Sequence, residues 1–239
     1  LDILISQLDK KYLRVLQRYQ RVVTQRNHLL KRVRSGYRLG DQLAVWDHGL
    51  AEAGAYIMAK RAMVVESLAR LSTTIHLDLT DNRDALELVY APSVAVPDFG
   101  SQDELASALM RGLETSRERE TRLGSSGVGP HRDDLRLEIG GLAATSYASR
   151  GQCRTLTLAL RLAEASHLMS VRGTAPVLLL DDVLSELDEG RRERLLSAVS
   201  RFQQALVTTS ENGLIVGMGD DIGAFRVRSG EIIRVTSRR

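Results

Sequence analysis

Pro176-Val177-Leu178-Leu179-Leu180-Asp181-Asp182 is the stretch that decides the fold. Four apolar residues in a row, too few for a buried helix, read as a strand covered on both faces, as in parallel sheets. The run ends in two carboxylates. In such sheets the carboxyl edge is where ligands bind. The pair suits phosphate chemistry with magnesium: Asp181 as a metal ligand, and Asp182 to orient or deprotonate an attacking water. An ordinary strand end with turn-forming acids reads the same way, so the neighbouring sequence has to decide.

Upstream, Ser149-Arg150-Gly151-Gln152 opens a helix that continues as Thr155-Leu156-Thr157-Leu158-Ala159-Leu160-Arg161-Leu162-Ala163-Glu164. Ser149 is placed as its N-cap, and Gly151 allows close backbone approach. A helix start offers free N–H groups and a partial positive charge to an anion. Downstream, Val183-Leu184-Ser185-Glu186-Leu187-Asp188 forms a short loop into another helix.

Farther out, the pattern gives a strand at 135–139, a helix at 152–170, a helix at 189–200, a strand at 205–208 and a strand pair at 225–227 and 232–235. Strands separated by helices predict an α/β fold with a parallel sheet. The N-terminal half is mostly helical. Residues 1 to 34 carry a helical seam from Leu1 through Ile5, Leu8, Tyr12, Val15, Tyr19 and Val22 to Leu29 and Val33, with Arg26 breaking the series. A second helix is expected from about 43 to 71. Alternation in 75–79 and 86–90 around Asp81-Asn82-Arg83-Asp84 then predicts a small β-hairpin. A helix opened by Ser101 should run to about 122. Gly124-Ser125-Ser126-Gly127 marks the expected boundary between a helical part, 1–126, and an α/β part, 127–239.

The chain has 239 residues, a net charge of +3 and one cysteine, Cys153. That charge is too small to argue for a polyanionic partner by itself. A single cysteine excludes an intrachain disulfide and fits a reducing cytoplasm. No apolar run is long enough to span a membrane. Leu1 reads as the middle of a helix, which predicts that the natural protein begins upstream.

The charge is unevenly distributed. From Lys10 to Arg38 there are ten Lys or Arg and no Asp or Glu. Lys11, Arg14, Arg18, Arg21 and Arg32 recur at helical spacing beside the seam, which makes a candidate surface for duplex phosphates. A solvated helix face is the alternative. His131 reads as a loop histidine fixing local hydrogen bonds rather than a nucleotide ligand, and Cys153 as a small buried residue. Gly217-Met218-Gly219 fails as a dinucleotide fingerprint, because its third glycine, Gly223, falls one residue late. The histidines and cysteine offer no zinc spacing.

In order, Ser-x-Gly-Gln, the apolar strand ending Asp-Asp, and Ser-x-Leu-Asp resemble the signature motif, Walker B and D-loop of ABC-type ATPase heads. Gly129-Pro130-His131-Arg132-Asp133-Asp134-Leu135, Tyr147 to Gln152 and Leu178 to Asp188 are similar to the RecF family of DNA replication and repair proteins, as are Tyr19 to Leu30 and Trp46-Asp47. The resemblance implies the C-terminal lobe of an ABC-type head with a helical arm, and ATP with Mg2+ as cofactors. It also implies a dimer in which two heads sandwich two ATP molecules. Asp181 and Asp182 of one copy would hold the nucleotide, Ser149, Arg150, Gly151 and Gln152 of the other would cap its γ-phosphate, and Ser185 and Asp188 would lie across the seam. Thr208 is open to two readings, a γ-phosphate contact or a strand end. The family resemblance further implies DNA as partner at single-strand/double-strand junctions, RecR as protein partner, recombinase loading at gaps, a role in the SOS response, and a cytoplasmic, nucleoid-associated location.

Two departures follow. The phosphate-binding Gly-x-x-x-x-Gly-Lys-Ser/Thr loop is not found, since none of Lys10, Lys11, Lys31 and Lys60 follows glycine, so weak ATPase activity is expected only of the intact dimer. Asp182 stands where most such heads have Glu, which predicts slow hydrolysis. Two alternatives remain: an SMC-type chromosome-organisation head, which would need hundreds of coiled-coil residues where only 148 precede Ser149, and a non-catalytic scaffold.

Overall fold

The computed structural model describes residues 1–35, 42–185, 187–210 and 223–235. Arg38, Glu186 and Gly217-Met218-Gly219 lie outside them. Two units separate, Leu1–Ala175 and Pro176–Arg239.

In the first unit the apolar seam folds as α1 (Asp2–Leu8) and α2 (Lys10–Arg34). The break between them is Asp9, whose extended backbone lets its carboxylate accept from the Lys11 and Tyr12 N–H groups at 2.8 and 3.0 Å. The seam packs on α3 (Gln42–Thr80) and α4 (Gln102–Leu123). Ser101 caps α4 as expected, and Gly124, at φ +71, ends it in the left-handed region.

The expected strand at 75–79 is instead the end of α3. Its buried positions, Leu68, Ser72, His76, Leu79 and Thr80, keep helical spacing to the last turn. Two of the intermediate ones are polar, which made the alternation at 75–79 look like a strand. No hairpin forms there. The strand β1 (Leu86–Ala91) pairs antiparallel with β2 (Asp134–Ile139), Leu86 opposite Ile139 and Ala91 opposite Asp134, and β3 (Leu142–Ala143) extends the sheet. The short α5 (Ala144–Tyr147) leads to α6 (Arg150–Arg172), which packs along α3.

The boundary expected after Ser126 does not separate compact units, because β1–β2 pairing ties 86–91 to 134–139 and Ser126 is itself buried among residues of α2 and α4. Arg26, the break in the seam, is fully buried. Its Nε donates to Asp47 at 2.7 Å, Nη2 to Glu120 at 2.6 Å and Nη1 to the Ser126 hydroxyl at 2.8 Å. Arg117 meets the other Asp47 oxygen at 2.6 Å. Three helices are thus joined by a matched set of two guanidinium groups and two carboxylates.

The second unit contains β4 (Leu178–Leu180), α7 (Glu189–Val199), β5 (Ala205–Val207) and the hairpin β6 (Ala224–Arg228) with β7 (Glu231–Val235). β4 and β5 are parallel, with Leu178 opposite Ala205 and Leu180 opposite Val207. The reading of β4 as covered on both faces is corrected: Leu178 and Leu180 are buried, but Leu179 is 75% exposed. An apolar run specifies that burial is favourable on both sides without specifying what provides it. No described helix is long and apolar enough to cross a membrane.

Candidate functional site

At the carboxyl end of β4 the chain stops extending and turns. Asp182 adopts φ +49, a left-handed conformation that asparagine and aspartate tolerate better than most side chains. Thr208, just past the end of β5, fastens the turn. Its hydroxyl donates to Asp181 Oδ1 at 2.5 Å and accepts the Asp182 N–H at 3.0 Å. From the other side the Ser185 hydroxyl donates to the Asp182 carbonyl at 2.9 Å. Asp181, Asp182, Ser185 and Thr208 are therefore joined in one hydrogen-bonded knot, with both carboxylates exposed.

Asp188 belongs to the same unit, where it caps α7. Its carboxylate accepts from the Arg191 N–H at 3.0 Å, and the Arg191 guanidinium lies 3.5 Å from the other oxygen. That capping bond accounts for the residue locally, whatever else it meets.

Ser149, Arg150, Gly151 and Gln152 lie in the other unit, at the start of α6. Ser149 is the N-cap, as expected. Its hydroxyl accepts from the Gln152 N–H at 3.2 Å, and the Gln152 side chain accepts the Ser149 N–H at 2.9 Å, a reciprocal capping box. Ser149 and Arg150 are exposed. The Gln152 amide also reaches Asp84 Oδ2 at 3.5 Å, while the His76 Nδ1–H donates to the Asp84 carbonyl at 3.0 Å. Sequence reading missed this tie between the end of α3 and the turn. Its only signal was Asp84 in a turn after an apolar helix. Cys153, expected to be buried, is exposed: it falls on the solvent side of the first turn of α6, next to Arg154.

Lys11, Arg14, Arg18, Arg21 and Arg32 are exposed on one side of α2, but they are not equivalent. Arg18 is paired with Glu52 at 2.8 Å, and Lys11 stands 4.9 Å over the Tyr56 ring. No partner of Arg14 or Arg21 is seen among the described residues. Arg32 is engaged within the fold.

His131 does fix local hydrogen bonds. With Nε2–H donating to the Ser126 carbonyl at 3.2 Å, its Nδ1 accepts from the Tyr19 hydroxyl at 2.7 Å. Desolvation holds the imidazole below its ordinary pKa and the Tyr19 phenol above its own. Gly129 beside it has φ +121, and a side chain there would meet the Tyr19 hydroxyl.

Among the described residues no group of three or more His, Cys, Asp or Glu side chains gathers as a metal cage. Magnesium does not require one. It takes one or two carboxylates and fills the remaining positions with phosphate oxygens and water. The exposed pair at the tip of β4 fits that need; at the start of α6 the capping box already engages the Ser149 and Gln152 N–H groups, so an anion there would meet Arg150 and Gly151.

No family model matches the chain. It is 40% identical over 211 residues to the DNA replication and repair protein RecF of Acetivibrio thermocellus, covering 88% of this chain and 57% of that protein. To the protein of the same description from Microcystis aeruginosa it is 41% identical over 240 residues, covering 97% and 64%. Among solved structures, one of the recombination mediator protein RecF-ATP in the RecFOR pathway superposes with a TM-score of 0.83 at 32% identity, over 98% of this chain and 61% of that one. The chain thus spans about three fifths of the length of the relatives it matches. With 40% identity across most of its residues and a fold that superposes on a solved RecF structure, the chain belongs to the RecF family of DNA replication and repair proteins.

Proposed function

We propose that this chain is the DNA-holding and nucleotide-closing part of a RecF-type repair protein that works as an ATP-dependent pair. The observation that carries the reading is the exposed carboxylate pair at the carboxyl edge of the parallel strands β4 and β5. When bound, Mg2+–ATP would supply phosphate oxygens and a metal charge at that edge. Asp181 offers the metal its carboxylate, and Asp182 offers a second one to orient water. Ser149, Arg150, Gly151 and Gln152 of one copy close over the terminal phosphate held by the other, with Ser185 and Asp188 at the seam. Because Thr208 already donates its one hydroxyl proton to Asp181, the strand-end reading of Thr208 is favoured over a donated contact to phosphate.

The cationic side of α2 is the proposed DNA surface, led by Arg14 and Arg21, with Lys11, Arg18 and Arg32 as contributors. DNA junctions, RecR as partner and recombinase loading at gaps complete the reading, in the cytoplasm at the nucleoid.

The test is light scattering of the intact protein with and without Mg2+–ATP. The wild type should dimerise only with nucleotide, and Ser149→Arg and Asp181→Asn should remain monomeric. A wild type whose mass ignores Mg2+–ATP would sink the reading.

A further inference from the structure

We infer that Thr208 is the positioning residue of the carboxylate pair: it presets the Asp181 carboxylate for magnesium and holds Asp182 in its left-handed turn. The inference rests on the reading of Asp181 as metal ligand. A hydroxyl has one proton and two lone pairs. In Thr208 the proton goes to Asp181 Oδ1 and a lone pair takes the Asp182 N–H. One side chain therefore couples the rotamer of one acid to the backbone of the next.

Both halves of this arrangement need holding. A carboxylate at an exposed strand tip otherwise samples several rotamers and loses that freedom when a metal binds. A non-glycine residue at φ +49 is held against its intrinsic preference, and a hydrogen bond to its own N–H offsets the cost. Threonine suits the task better than serine in one respect. It is stiff at χ1, so the hydroxyl direction is set before the acids arrive. The register brings it there, because Leu180 pairs with Val207 and the Thr208 N–H continues the ladder to the Leu180 carbonyl at 2.9 Å.

The experiment uses the intact protein, a fluorescent ATP analogue as probe, and the variants Thr208→Val and Thr208→Ser. Thr208→Val keeps the shape and deletes both bonds. It should raise the Mg2+ concentration that half-saturates analogue binding about tenfold, as expected for losing a bond to a charged group. Binding in EDTA should be unchanged, and Thr208→Ser should return the Mg2+ dependence to within about twofold of wild type. Without nucleotide, amide exchange at Asp182 should accelerate in Thr208→Val and remain slow in Thr208→Ser. Where the valine protein does not fold, Thr208→Ala carries the same comparison. Wild-type Mg2+ dependence in Thr208→Val, or a serine variant as impaired as the valine one, overturns the inference. A wild type that binds the analogue without regard to Mg2+ overturns the nucleotide reading as well, and is recognised in the wild type alone.

Discussion

A guanidinium without solvent contact needs its charge matched on the spot, and Arg26 has Asp47 and Glu120 within 2.7 Å. Removing one member of such a set strands the others. Arg26→Met should cost about 3–5 kcal/mol in urea unfolding, whereas adding Glu120→Leu, which leaves the Arg117–Asp47 pair in place, should recover most of that loss. If the single variant unfolds at the wild-type midpoint, the cluster contributes nothing. Asp182 raises a different issue. The glutamate that most related heads carry there reaches farther, but it fits φ +49 less well. Asp182→Glu is expected to cost about 1 kcal/mol and lower the melting temperature by a few degrees, with Asp182→Asn close to wild type.

At the scale of the element, cap chemistry was legible. Ser149 and Ser101 announce helix starts because their side chains satisfy backbone groups locally. The last turns of α3 were not, because Ser72 and His76 are buried polar residues that a count of apolar positions treats as gaps. The Arg26 cluster was visible only as an anomaly: a cation in an apolar seam implies counter-charges, but Asp47 and Glu120 lie 21 and 94 residues away. The knot of Asp181, Asp182 and Thr208 was half legible. The apolar strand and its acids are local, while Thr208 arrives through strand pairing. On α2, the differing local partners of the cations separate their expected effects on DNA. Arg14→Glu with Arg21→Glu should weaken duplex binding by the intact protein and flatten the log–log salt slope by about 2. Arg18→Glu alone should have less effect, since Glu52 already shares its charge. A salt slope unchanged by the double reversal would remove this face from the DNA surface.

At the scale of the molecule, the chain divides at Ala175–Pro176, a point with no run of glycine or serine to announce it. What ties 127–175 to the helices is packing over long sequence separation, including the Ser67 hydroxyl and His167 Nδ1, 3.0 Å apart between α3 and α6. Desolvation lowers the His167 pKa below its ordinary 6.5. The folded state therefore resists a proton that the unfolded state accepts. Stability from this site is complete above pH 6.5 and declines as pH falls from there toward the lowered folded value, by at most about 1.4 kcal/mol per pH unit. Melting curves between pH 7.5 and 5 should show that decline, and His167→Gln should flatten it. An equally steep decline in the variant would assign it to other groups.

The 39 residues of α3 amount to a rod about 58 Å long. Near its beginning, Asp47 and Glu52 grip the cation-bearing helix α2, and past its end Asp84 receives the His76 N–H and touches the Gln152 amide. One helix therefore carries the partners of both segments, so its length and straightness set the distance between the cationic face and the opening turn of α6. A proline at Met63, which points to solvent midway, should kink the helix there and change that distance without touching either end.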